Sequence, residues 1–151
     1  MTQPVLYERQ PPNATAFVLA WLRPIAASPL HLGSKRWAAG APLPYWMVNR
    51  VTGGNDFISD FPVIRLHTIA ETETECQREM DRANNRMMAL VVDPLLEVVM
   101  ADGSVANCQW VETLEGPRPD PPPRSSVMRT DPASAAVARL VTTYQLGLPF
   151  V

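Results

Sequence analysis

Two periodicities divide this chain. Apolar residues recur at helical spacing as Ala14, Phe17, Val18, Trp21 and Ile25, and again as Cys76, Met80, Ala83, Met87, Leu90 and Val91. Elsewhere they alternate with polar residues, as strands with one buried face require. The first helix is expected to start at Asn13, a good N-cap placed after two prolines, and to end by Pro24 and the run Ala26-Ala27-Ser28-Pro29. The second is expected from about residues 72–74 to Val92. It carries Glu71, Glu73 and Glu75 at its start, where the helix dipole favours anions, and Asp93-Pro94 closes it.

Strands are expected over 45–51 and 57–69, joined through Thr52-Gly53-Gly54-Asn55 as a hairpin. Within the second, Ile64 and Leu66 share one face while Val63, Arg65 and His67 share the other. Strands over 97–101 and 105–114 should pair through Asp102-Gly103, with Ala106, Cys108, Trp110 and Leu114 on one face. The clearest alternation is the last. Leu140, Thr142, Tyr144, Leu146, Leu148 and Phe150 oppose Val141, Thr143 and Gln145, in a strand expected to lie antiparallel to 105–114. Residues 28–43 read as a long loop with a basic and aromatic spot at Lys35-Arg36-Trp37. The order α-β-β-α-β-β-β implies an α+β fold: an antiparallel or mixed β-sheet of four to five strands, two helices packed on one face, and a long proline-rich loop.

With 151 residues the chain suits a single domain, 1–151, able to bury roughly 68–70% of its unfolded surface. Within it, residues 1–12 form an N-terminal arm and 116–133 a projecting loop. The 16 prolines sharpen that division, clustering in the arm, in 24–44 and in 117–132, where fixed φ and the missing donor exclude helix interiors and central strands. The formal charge of −2 gives no general drive toward nucleic acid or anionic membranes. No apolar run approaches the roughly 20 residues of a membrane span, and the first residues lack a secretory pattern, so a soluble cytosolic product is expected.

Candidate chemistry is sparse. His31 and His67 have no second ligand at metal-binding spacing. Cys76 and Cys108 fall on apolar faces and read as small buried thiols, with a disulfide as the alternative. Glu71, Glu75 and Glu79 form a row suited to a solvated face with arginine partners, Glu75 to Arg78 and Glu79 to Arg82. Gly53-Gly54 is too short to cradle phosphate, and Ser125 and Ser126 lack elbow glycines. No catalytic, cofactor-binding or metal residue is assigned, and no enzyme is expected. The candidates are contact residues: Arg78, Arg82 and Arg86 in an i, i+4 row, Tyr45 and Trp46 on a strand read as an edge, and Arg118 and Arg124 in a stiff arm.

The segments FPVIRLHTIAETETECQREMDRANNRMM, DPLLEVVMADGSVANCQWVETLEGP and VTTYQLGLPFV resemble the tail terminator proteins of long-tailed, siphovirus-type actinobacteriophages. In that family a "P-V-I-R-V-H-T-F" strand precedes a helix with spaced carboxylates and arginines. An "A-D-G" hairpin, an "N-C" strand and a closing "Y-x-L-G-L" strand follow. Ile69-Ala70-Glu71 departs from the aromatic-glycine ending of the family's first strand. The resemblance implies a fold similar to the lambda tail terminator. It also implies a homohexameric ring that caps the tail tube, ends its polymerisation and joins it to the head connector. The implied partners are the chain itself, the tail tube protein and a head-side connector or stopper protein, with no cofactor and no membrane. Genomic DNA meets the protein only by passing through the ring lumen. The implied place is the tail–neck junction of the virion, after assembly in the host bacterial cytoplasm. The alternative is a head-closure or stopper protein of the same neck.

Overall fold

The computed structural model describes residues 9–37, 41–119 and 137–151. Its first helix, α1 (Ala14–Leu22), begins where Asn13 caps it, the side chain accepting from the Ala16 N–H at 3.0 Å. A 3₁₀ turn over Arg23–Ile25 carries Pro24 and ends the helix. The expected 28–43 loop holds a second short turn, Pro29–His31, and a two-residue strand, β1 (Leu32–Gly33).

Three long antiparallel strands form the centre. They are β2 (Tyr45–Thr52), β4 (Val63–Ala70) and β8 (Ala138–Pro149), with β3 (Ser59–Asp60) continuing the β4 side of β8. On the other side of β8 lies β7 (Trp110–Pro119), and β1 runs parallel to β2 at the far edge. The sheet therefore reads β1-β2-β4-β8-β7, with β3 paired to the end of β8 in line with β4. A separate hairpin, β5 (Val98–Val99) with β6 (Val105–Ala106), turns through Asp102-Gly103. This is the expected α+β fold.

Helix α2 (Glu73–Met88) starts at Thr72, whose hydroxyl accepts from the Glu75 N–H at 3.1 Å, and runs into a 3₁₀ turn over Ala89–Val91. Cys76, Met80, Ala83, Met87 and Leu90 bury the expected stripe, whereas Val91 faces solvent. The helix lies on the sheet face that carries Leu66, Thr68, Thr142 and Tyr144. Thr142 Oγ1 approaches Met80 Sδ at 3.0 Å, and Tyr144 Oη donates to Asn84 Oδ1 at 2.8 Å. Beside it, α1 closes the core with Phe17, Val18 and Leu22, all fully buried along with Ile64, Leu146 and Leu148. Each such side chain contributes about 1.5–3 kcal/mol by leaving water.

Four expectations change. The 57–69 strand is interrupted. Asn55 and Asp56 side chains accept from the N–H groups of Phe57, Ile58 and Ser59, and Phe57 takes a φ of 69° that a strand cannot hold. Local side-chain bonds here compete with the ladder and win. The 105–114 strand is likewise broken. Residues 107–109 leave the small hairpin, and Asn107 donates to the Pro94 carbonyl at 2.8 Å.

Strand β7 then extends to Pro119, so Pro117-Arg118-Pro119, expected in the excursion, belong to the sheet instead, with Arg118 and Pro119 paired to Val141 and Leu140 of β8. An outermost strand tolerates proline because its outward side needs no donor, and the register shifts between Thr113 and Arg118 accommodate the ring. The remainder of the proline-rich loop and most of the N-terminal arm lie outside the described residues. Gln10, at the end of that arm, exchanges two backbone hydrogen bonds with Val151 (3.1 and 3.0 Å).

Finally, Tyr45 and Trp46 do not lie on an open edge. Strand β1 covers β2 at Trp46 and Met47, and both aromatic side chains are buried. Trp46 packs into the main core beneath the helices. Tyr45 packs with Trp37 and Ile69 on the opposite face and donates its hydroxyl to the Lys35 carbonyl at 3.0 Å.

Candidate functional site

The arginine row on α2 divides sharply. Arg86 turns inward. Its guanidinium stacks 3.6 Å from the centre of the Trp21 ring, and Nε donates to the Trp21 carbonyl at 2.8 Å. Trp21 Nε1 answers by donating to the Arg86 carbonyl at 2.6 Å. Burial disfavours the charged form and pulls the Arg86 pKa below its ordinary value.

Arg82 donates to both oxygens of the buried Glu79 carboxylate (3.0 and 2.7 Å) and to the Ile25 carbonyl (2.6 Å), beside the Trp46 ring. These two arginines therefore fasten α2 to α1 and to the turn that follows it. Arg86 is half-buried by these bonds, whereas Arg82, though bonded inward, keeps 47% of its side chain exposed on the outer face of α2.

Arg78 is exposed on the outer face of α2, among Glu73, Thr74, Gln77, Asp81 and Asn85. Glu79 pairs with Arg82 as expected, while no Glu75–Arg78 pair is seen; Gln77 instead donates to Asp81 at 3.0 Å. Arg118 sits on β7 and pairs with Glu115. Arg124 lies outside the described residues.

Sequence reasoning missed the ion pair between Arg50 and Asp60. Asp60, almost fully buried, receives Arg50 Nη1 and Nη2 at 2.6 and 2.8 Å, while Arg50 also donates to the Thr52 and Gly53 carbonyls. The pair closes the loop between β2 and β4. Gly53, at φ 108°, has no room for a side chain against the Phe61 carbonyl. The loop presents Phe57 at 81% and Ile58 at 61% exposure. Its sequence signal was Asn55-Asp56, the residue types that form side-chain turns, set inside what looked like a strand.

The histidines stay apart from any cluster of acids or thiols. His31 Nδ1 donates to the Pro44 carbonyl at 2.8 Å, since a carbonyl only accepts, and His67 is half-buried on the helix-free face of the sheet. Among the described residues no three His, Cys, Asp or Glu side chains gather as metal ligands. Cys76 and Cys108 are both free thiols, bonded to the Thr68 and Trp110 carbonyls. Burial pushes each thiol pKa up to about 11, so both are protonated at neutral pH and are poor nucleophiles.

A small cavity of about 140 Å³ lies between Ala27, His31, Trp46, Glu79 and Arg82, where the Trp46 indole N–H has no acceptor among the described residues. No helix among the described residues is long and apolar enough to cross a membrane.

No protein-family model matches this chain, and no curated protein matches it. The candidate site is accordingly a set of surfaces: the outer face of α2 at Arg78, the Phe57–Ile58 tip, and the two edges of the sheet. The β7 edge is exposed along Glu112–Pro117, and no described strand pairs with its outer side.

Proposed function

We propose that this chain is a structural virion protein, the tail terminator of a long-tailed bacteriophage. Copies form a ring that seats on the last ring of the tail tube. The mechanism is geometric: the seated ring covers the surface on which another tube subunit would add, and its outer side joins the head connector. The observation that supports this reading is the resemblance over Phe61–Val151. Its segments correspond to β4, α2, the β5–β6 hairpin, β7 and β8, which form one packed unit.

The described residues suit such a role physically. The arginine clasps tie α2 to α1 and its turn, while sheet edges and an exposed apolar tip are left outward, the kinds of surface by which ring subunits meet. The ring is proposed to be homohexameric, with the tube protein on one side and a connector or stopper protein on the other. DNA is in contact only through the lumen.

Electron microscopy of particles made without this protein tests the reading. Tails of uncontrolled length are expected. Tails of normal length lacking heads would move the assignment to a head-closure or stopper protein, and intact particles would overturn both.

A further inference from the structure

We infer that copies of this chain join edge to edge, the β7 strand of one copy pairing antiparallel with the β1 side of the next. The inference rests on the ring reading above and names the surface through which the ring is made.

The backbone sets the direction. Leu146 donates its N–H to Pro62 on the β4 side, so its neighbours Gln145 and Gly147 turn theirs toward β7. Their partners Trp110 and Glu112 turn back toward β8, which leaves Val111 and Thr113 with N–H and C=O groups aimed out of the sheet. The same alternation carried through Val63–Gln145 and His67–Met47 turns Trp46 and Val48 toward β1, and the β1 pairing then leaves Leu32 facing outward. β7 runs antiparallel to β8, β8 to β4 and β4 to β2, and β1 is parallel to β2. A sheet continued from one copy into the next therefore brings β7 against β1 as an antiparallel pair.

Other edge positions are blunted. The Asn49 amide, oriented to donate, bonds the Val48 and Ser34 carbonyls at 3.0 Å each, and Arg50 holds the Thr52 and Gly53 carbonyls. On β7, the register shifts and Pro117 end regular pairing beyond Thr113. The stretches that no described residue covers carry complementary groups. β7 presents Glu112 with the exposed Leu114, Glu115 being paired with Arg118, whereas the β1 side presents Lys35 with the exposed Leu30.

Placing Leu32 opposite Thr113 of the next copy brings the bend at Ser34-Lys35, which follows Gly33, toward the Trp110–Glu112 end of β7, so that Lys35 meets Glu112 as an exposed opposite charge and not as a ladder pair. Pairing β7 with itself would instead set Glu112 against Glu112, which like charge disfavours. The two edges lie on opposite sides of the sheet, so the contact is head-to-tail and closes only as a ring.

Charge exchange tests this by native mass spectrometry of the full chain across a concentration series, with folding checked by circular dichroism. Glu112→Lys alone and Lys35→Glu alone should each weaken association by about tenfold or more, and the double variant should recover most of it. Thr113→Pro, which removes an outward N–H from an edge strand, should give folded monomers. Single variants that assemble like the parent chain, or a double variant that stays monomeric, would overturn this pairing while leaving the ring reading standing. A parent chain that forms no ring, alone or on tube ends, would overturn both.

Discussion

The helix layer and the sheet edges of this protein use the same residue types in opposite ways. On α2, Arg82 and Arg86 look like a surface row, yet both reach inward to main-chain carbonyls and aromatic rings. On β7, Glu115 and Arg118 lie as a pair at the surface, each about half exposed. In the first region the guanidiniums tie α2 to α1 and its following turn, Arg82 while still about half exposed; in the second the charges pair only along one strand. The lesson is that arginine spacing identifies a helix face without saying whether the guanidinium ends in water or on a carbonyl.

Substitutions can break that contrast. Phe17→Ala, in the fully buried centre beneath both helices, should cost about 3–5 kcal/mol in denaturant unfolding, the usual range for losing a large core ring. Asp60→Ala should cost about 2–3 kcal/mol, less than a fully buried pair because Arg50 is partly exposed and can rehydrate. Arg86→Ala should cost about 1–2 kcal/mol by removing the ring stack and the bond to Trp21, and Arg86→Lys should recover less than half of it. Should Arg86→Ala leave the unfolding midpoint unmoved, the clasp is not what joins the helices. At the edge, Glu115→Ala should change stability by less than about 0.5 kcal/mol, as exposed ion pairs do.

The thiols give a pH test of the closed region. Their pKa values are raised in the folded chain to about 11, above the value of an unfolded thiol. Ionisation of the unfolded chain alone begins near pH 9, so their contribution is complete below that and declines as pH rises toward 11. Stability measured from pH 8 to 11 should fall, and replacing both cysteines by alanine should flatten the decline. An identical decline in that variant would assign it to other groups.

Much of the fold was legible because it follows from period. Asn13, Thr72 and the stripe from Cys76 to Leu90 marked the helices, and the alternation over 138–149 marked the central strand. Failures came where a local or long-range bond overrode the pattern. The Asn55 and Asp56 side chains fold back on the backbone, so the chain expected to pair from Phe57 does so only at Ser59–Asp60 and then from Val63. Tyr45 and Trp46 were placed on an edge because nothing in the sequence announces that Leu32–Gly33 returns to cover them. Gly147 is similar. Its lack of a side chain is what lets the Trp110 indole lie against it, a contact set by two strands distant in sequence. The contact residues were the least legible part, since an exposed edge is defined by what the rest of the chain leaves uncovered.

The central claim is that rings of this protein end tube growth. Its most direct test is the length of tubes polymerised from purified tail tube protein while this chain is added at increasing, substoichiometric ratios. Tubes should shorten as the ratio rises, each carrying a ring at one end only. Tubes of unchanged length with bare ends would contradict it.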